Sequence, residues 1–213
     1  MIVVSWLLYF LLHSLLASLV VKSFIVQHMP SLMPAYRLAY NLVALLLIVI
    51  PLWLTFAKSS DYLWQWQGLS GWIANMLALL AIAGFFWSLK YYDGQEFLGF
   101  KQLKTDARTI EDQESFKLSP LHRFVRHPWY FLGLVLIWSR EMTPYMLTSA
   151  MMMTVYFWIG SRLEEKKLLK YYGERYRLYS DKVAGLLPLP WKYLSAEEAG
   201  RLEKSLPVSK LDQ

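Results

Sequence analysis

RHPWY at 126–130, an apolar run turning at Thr143 and Pro144, Glu164-Glu165, and YYGERYRLY at 171–179 form the stretch that decides the fold. Ionisable and aromatic residues stand on both sides of an apolar hairpin. That pattern suits a site built where a membrane meets water. Antiparallel pairing about Thr143-Pro144 sets His127 opposite Gly160, with Glu164 and Glu165 about one turn further on. Arg126, His127, Glu164 and Glu165 are therefore expected to converge. Pro128 is tolerated in a first helical turn, and the free N–H groups there favour an anion.

Composition agrees with a membrane setting. The chain has 213 residues, of which 56% are apolar and only 18% charged, with ten Trp and fourteen Tyr. Its apolar residues fall in blocks about 20 long, the length of a membrane span. Tyr and Trp gather near block ends, as in interfacial belts. With no Cys, disulfides, thiolate metal sites and thiol nucleophiles are excluded. The four His lack zinc-like spacing, so no metal is expected. The net charge of +6 reads as membrane orientation and contact with anionic lipid rather than nucleic-acid binding.

Outward from the hairpin, the expected fold is all-α and polytopic, with about five transmembrane helices. The first span covers 2–26; with no basic n-region or nearby cleavage site, it reads as a retained span. His13 and Ala17 share one face of it, beside Ser14 and Ser18. The second covers 36–57, with Arg37, Tyr40 and Asn41 on one face and Pro51 a candidate kink. The third covers 69–89. Residues 95–103 read as a short interfacial helix or loop, and 104–117 as a solvated loop. A helix from Pro128 to Ser139 rises only about 18 Å against a core of about 30 Å, so it begins earlier or is a short arm. The return helix starts at Tyr145 and continues to Tyr172, with Gly173 as its cap. A further short helix carries Tyr176 and Tyr179, and the tail from Ser195 reads as solvated. The division is a three-helix part at 1–92, a core at 93–190 and a tail at 191–213. With the N-terminus outside, the outer loops hold only Lys58 and Arg140 among the basic residues. That bias places the C-terminus and the site in the cytosol, at a bacterial inner membrane.

A ligand carrying a carboxylate, an amine, a sulfonium and an adenosine matches the residue set. Arg126 can clamp a carboxylate, Glu164 can accept from an ammonium or ribose, and Tyr130, Tyr172 and Tyr176 can pack on a ring or a cation. S-adenosylmethionine is such a ligand, permitted but not singled out by these residues. A His-Pro at a helix start also serves as a plain cap, and an Arg-Glu group at a membrane edge as snorkelling charge.

RHPWY at 126–130, Gly133, Glu164-Glu165, YYGERYRLY at 171–179 and LLPLP at 186–190 resemble the integral-membrane methyltransferases. That family includes isoprenylcysteine carboxyl methyltransferase and the phospholipid N-methyltransferases. HSLLAS at 13–18, YRLAYN at 36–41 and FLGFKQ at 97–102 resemble the narrower NnrU-like and methanethiol S-methyltransferase branch. The resemblance implies S-adenosylmethionine between the last hairpin and the C-terminal helices. It implies contacts from Gln102, Leu118, His122, Arg126, His127, Tyr130, Glu164 and Tyr176, and from the backbone at Phe116 to Leu118. His122 departs from the family, which usually has Tyr there. The substrate arginine of the prenylcysteine enzymes falls at Gly160, with Arg162 as a nearby stand-in.

The expected function is methyl transfer to a small or lipophilic acceptor, preferably a thiol such as methanethiol. Alternatives are methylation of a phospholipid amine or a prenylcysteine-type carboxylate, or a non-enzymatic NnrU-like membrane accessory role. Alignment and desolvation carry most of such a reaction, and a neutral base helps a thiol lose its proton. His13 is the candidate base, with Arg37, Tyr40, Asn41 and Asp93 beside the acceptor; His13 also has a plain reading as an interhelical hydrogen-bond partner. Partners are the acceptor and membrane lipids, with no nucleic acid and no reading of oligomeric state.

Overall fold

The computed structural model describes residues 1–57, 59–108 and 118–205, with side chains to 202. Lys58, the Phe116 and Lys117 backbone, most of the expected polar loop and the last tail residues lie outside that set. The described chain is helical: α1 (Ile2–Ala17), α2 (Leu19–His28), α3 (Met33–Phe56), α4 (Gly68–Leu89), α5 (Gly94–Leu98), α6 (Phe100–Lys104), α7 (Pro128–Trp138), α8 (Pro144–Tyr172), α9 (Glu174–Lys182) and α10 (Ala196–Ser205).

The expected first span is broken. Ser18 has extended backbone, donates its hydroxyl to the Leu15 carbonyl at 2.6 Å and accepts from the Val21 N–H at 3.4 Å. A serine that ends one helix and caps the next competes with helix continuation. The two halves meet at 51°. Pro51, by contrast, lies within the continuous α3.

Among the described residues two helices, Pro30–Phe56 and Gly68–Leu89, are long and apolar enough to cross a membrane, and the bent α1–α2 pair raises that number to three at most. The five-span expectation is therefore met only in part by these criteria. Helix α7 has 11 residues and is too short alone. Helix α8 has 29 residues, but Ser, Thr and Tyr dilute its apolar half and charges fill the rest. Only 11% and 17% of the two apolar windows are buried inside the protein. Their outward faces need a nonaqueous solvent, which a bilayer supplies.

Small and polar residues bring the helices together. Ala74, Ala78, Ala81 and Ser88 form the buried stripe of α4, which packs against α7. In the other layer α1 packs between α3 and α8. There Trp6 donates its indole N–H to Ser149 at 2.8 Å, Ser149 meets Thr55 at 2.7 Å, and Thr55 donates to the Pro51 carbonyl at 2.7 Å. These bonds tie α1, α8 and α3 together where water is absent.

The predicted interfacial segment forms two short helices, α5 and α6, joined at Gly99. Its φ is 97°, and a Cβ there would lie 2.6 Å from the Leu38 nitrogen of α3. Only glycine accommodates both the left-handed backbone and that approach. Gly99→Ala is expected to cost about 2–3 kcal/mol, whereas Gly94→Ala, with open space and no positive φ, costs little. Thermal unfolding of the two variants checks this, and equal stability contradicts it.

At the other end Tyr176, Tyr179, Val183, Leu194 and Ala199 form a buried cluster. Part of the expected tail is ordered here: Ala196–Ser205 form a capped helix. The Glu198 N–H donates to the Ser195 hydroxyl at 3.1 Å, the Ser195 N–H donates to Glu198 at 2.9 Å, and Ala199 and Leu202 join the cluster.

Candidate functional site

The 125–127 segment is held by backbone. The Arg126 N–H donates to the Ala184 carbonyl at 2.8 Å, and the His127 N–H to that of Gly185 at 3.2 Å. This leads the chain into α7 at Pro128 and sets Arg126 and His127 against α8.

Arg126 and Glu165 form a buried pair, with side chains 9% and 11% exposed. Arg126 donates from Nε and Nη2 to one oxygen of Glu165, at 2.9 and 2.7 Å. Its Nη1 donates to the carbonyls of Ser180, at 2.7 Å, and Val183. The carboxylate this guanidinium holds is therefore the protein's own. Arg126 fastens α8 to the end of α9, which its expected role as a clamp for a ligand carboxylate did not include. A Cβ on Gly185 would sit 3.4 Å from Arg126 Nη2, so the 184–186 turn closes tightly over the pair.

His127 bridges both glutamates, with Nε2 3.1 Å from Glu165 and Nδ1 3.4 Å from Glu164. Burial lowers its pKa, but hydrogen bonds and charge from Glu164 and Glu165 overcome that and raise it. A ring facing a carboxylate on each nitrogen donates from both, as imidazolium does. His127 also stacks on Tyr130 at 5.4 Å, and Tyr130 on Phe157 of α8 at 4.9 Å. His122, in the 3₁₀ turn Pro120–Arg123, behaves in the opposite way. Its Nδ1 accepts the Ser119 N–H at 3.1 Å. Burial, aided by the charge on His127, pushes its pKa down to about 4.

These shifts give opposite pH slopes. A neutral buried His122 contributes stability that is present above its ordinary 6.5 and is lost as pH falls toward about 4, a contribution of about 3 kcal/mol. The raised pKa of His127 contributes stability present below 6.5 and lost as pH rises through its folded value. Thermal stability is thus expected to peak near pH 6.5 among these two contributions. His122→Asn should flatten the acid limb relative to the parent. An unchanged acid limb contradicts the assignment.

A cavity of about 230 Å³ opens beside these groups. Of the residues expected at the site, Arg37, Asp93, His122, Arg126, His127, Tyr130, Glu164 and Tyr176 line it. Three do not. Leu118 packs on the Tyr176–Tyr179 cluster. Gln102 is buried on α6 and donates to the Glu96 carbonyl at 3.2 Å. His13 lies outside the cavity in a ring cluster with Tyr9, Tyr40 and Tyr156, 3.0 Å from the Tyr40 hydroxyl. The face shared by Arg37, Tyr40 and Asn41 divides accordingly. Tyr40 turns to His13, while Arg37 Nε and Asn41 Nδ2 donate to the Phe97 carbonyl at 3.1 and 3.0 Å. Asp93 caps α5, accepting from the Gln95 N–H at 2.9 Å, and lies 3.5 Å from Lys101.

Several lining residues were not singled out from sequence. Glu96, buried and 3.3 Å from Lys101, is one. Trp129 is another: its ring lies within 5.3 Å of Phe85, Tyr92 and Phe97, and its N–H donates to Ser88 at 2.8 Å. Trp129 lies inside RHPWY and Phe97 inside FLGFKQ, so both were visible in the motifs. Their meeting depends on how α4 and α5 pack on α7.

Curated relatives similar to the chain include three from different bacteria. The methanethiol S-methyltransferase of Pseudomonas deceptionensis is 40% identical over 95 residues, 44% of this chain and 36% of that protein. Methanethiol S-methyltransferase 1 of Bradyrhizobium diazoefficiens is 32% identical over 138 residues, 59% of this chain and 48% of that protein. The methanethiol S-methyltransferase of Mycobacterium tuberculosis is 30% identical over 143 residues, 61% and 59%. The chain thus spans less than two thirds of each relative's length. No solved structure matches it significantly. The likeness to methanethiol S-methyltransferases read from the motifs is upheld. Residues 22–183 match the family described as "Protein of unknown function (DUF1295)", and the chain belongs to that family.

Proposed function

We propose that the chain transfers a methyl group from S-adenosylmethionine to a small thiol such as methanethiol. The observation that carries this reading is the cavity where α7 begins, lined by carboxylates, two guanidiniums and aromatic rings. The names of the curated relatives support the acceptor.

The donor set fits the cofactor. Glu164, 49% exposed beside His127, would take the ammonium or the ribose hydroxyls. Tyr130 and Tyr176 would pack on the flat ring or the sulfonium. With Arg126 engaged by Glu165, Arg37 is the guanidinium that would face the carboxylate. When bound, S-adenosylmethionine supplies a methyl group already activated by a positively charged sulfur. The protein's share is alignment and exclusion of water, which Trp129, Phe97 and Tyr92 provide as an aromatic wall. A thiol must also lose its proton. His127 faces a carboxylate from each ring nitrogen and has no nitrogen turned to the acceptor, and His122, with a pKa of about 4, is a weak acceptor. Asp93 lines the same cavity, but the Glu96 N–H it accepts holds it below the usual carboxylate range, so it is weaker still. No lining group is assigned the base, and the thiol would enter as thiolate with its proton left to solvent.

The positive-inside bias supports a cytosolic cavity in a bacterial inner membrane, with an apolar acceptor arriving from the bilayer. Purified protein given S-adenosylmethionine and methanethiol should release dimethyl sulfide, measured by gas chromatography. A folded preparation that binds the cofactor but forms no product sinks the acceptor assignment.

A further inference from the structure

A second cavity, of about 580 Å³, lies at the opposite ends of α3, α4, α7 and α8. We propose that it binds a phosphate group, either a phospholipid headgroup or free phosphate. Its cation is Arg140, in the turn between α7 and α8. Nη1 donates to Asn75 at 3.1 Å and Nη2 to the Ala74 carbonyl at 3.1 Å. Both acceptors are neutral, and among the described residues no carboxylate pairs with Arg140. The guanidinium is therefore positioned but not neutralised. Its Nε and the Ser60 hydroxyl are both buried and have no protein partner among the described residues. Both residues line the cavity.

The ends of α4 and α8 border the cavity at Gly71 and Thr143, but the N–H groups there are already bonded, Gly71 to the Gln67 carbonyl at 3.4 Å and Met146 to the Thr143 hydroxyl at 3.2 Å. The attraction therefore rests on the guanidinium and the Ser60 hydroxyl, which together suit an anion with several acceptor oxygens. Glu141 also lines the cavity and is exposed, so its charge is screened by solvent. Tyr62 and Trp66 also border the opening and are exposed, as residues at a membrane–water boundary are. A headgroup phosphate at that depth matches the chemistry without needing the chain to be an enzyme.

The test is thermal unfolding in detergent, with dihexanoyl phosphatidylglycerol or inorganic phosphate added at matched ionic strength. The parent midpoint should rise by several degrees while Arg140→Gln stays unmoved. A rise with the lipid alone identifies a headgroup, and a rise with inorganic phosphate identifies a free anion. No rise in the parent, or an equal rise in parent and variant, overturns the proposal. Should Arg140→Gln not fold, Ser60→Leu narrows the cavity while leaving the Arg140 bonds in place. It must likewise abolish the response, and an undiminished response overturns the site.

Discussion

Glu165→Ala is expected to destabilise the protein by about 3–5 kcal/mol. The reason is what it leaves behind. Arg126 is 9% exposed and directs Nε and Nη2 at the one Glu165 oxygen that also receives His127. Without that oxygen a buried guanidinium and a buried imidazole ring lose their shared acceptor at once. Arg126 also carries the Ser180 and Val183 carbonyls, so the damage spreads to the α9 end and the Tyr176–Tyr179 cluster. Glu165→Gln retains an acceptor oxygen but not the charge, and should fall between parent and Ala variant. Thermal unfolding in detergent, followed by tryptophan fluorescence, measures the order. An Ala variant as stable as the parent would show that the pair is not holding the fold.

Glu164→Ala should do the reverse. Its side chain is 49% exposed, and its one ion-pair contact among the described residues is His127 at 3.4 Å. Glu164 is half-exposed and His127 keeps its bond to Glu165, so the loss is about 1 kcal/mol and the fold should survive. If Glu164 holds the ammonium or ribose of the cofactor, affinity should fall by about 100-fold, the loss typical of a charge-assisted bond. Neighbouring glutamates thus separate a binding role from a structural one. A Glu164→Ala variant with parental affinity would remove Glu164 from the site.

That separation was not legible in the sequence. Glu164 and Glu165 point about 100° apart on a helix, and which one turns inward depends on the 180–185 segment closing over Arg126. What was legible was local. Pro128 after His127 marks the start of α7, Gly173 the end of α8, and apolar runs the long helices. The approach of Arg126 and His127 to the two glutamates followed from hairpin pairing about Pro144. Three features were harder to read. The break at Ser18 was hidden because the flanking residues are uniformly apolar. The α10 helix was passed over because its surface is polar, although Ser195 and Glu198 have capping-box spacing. His13 drew attention as an ionisable residue in a span, but its partner, Tyr40, answers for its position.

The most direct measurement is a calorimetric titration of the purified, folded protein with S-adenosylmethionine. A methyltransferase built on the α7–α8 cavity should show saturable binding at a single site per chain, strongly weakened in Glu164→Ala. Absence of binding to a preparation shown to be folded would contradict the cofactor assignment and the methyltransferase reading with it.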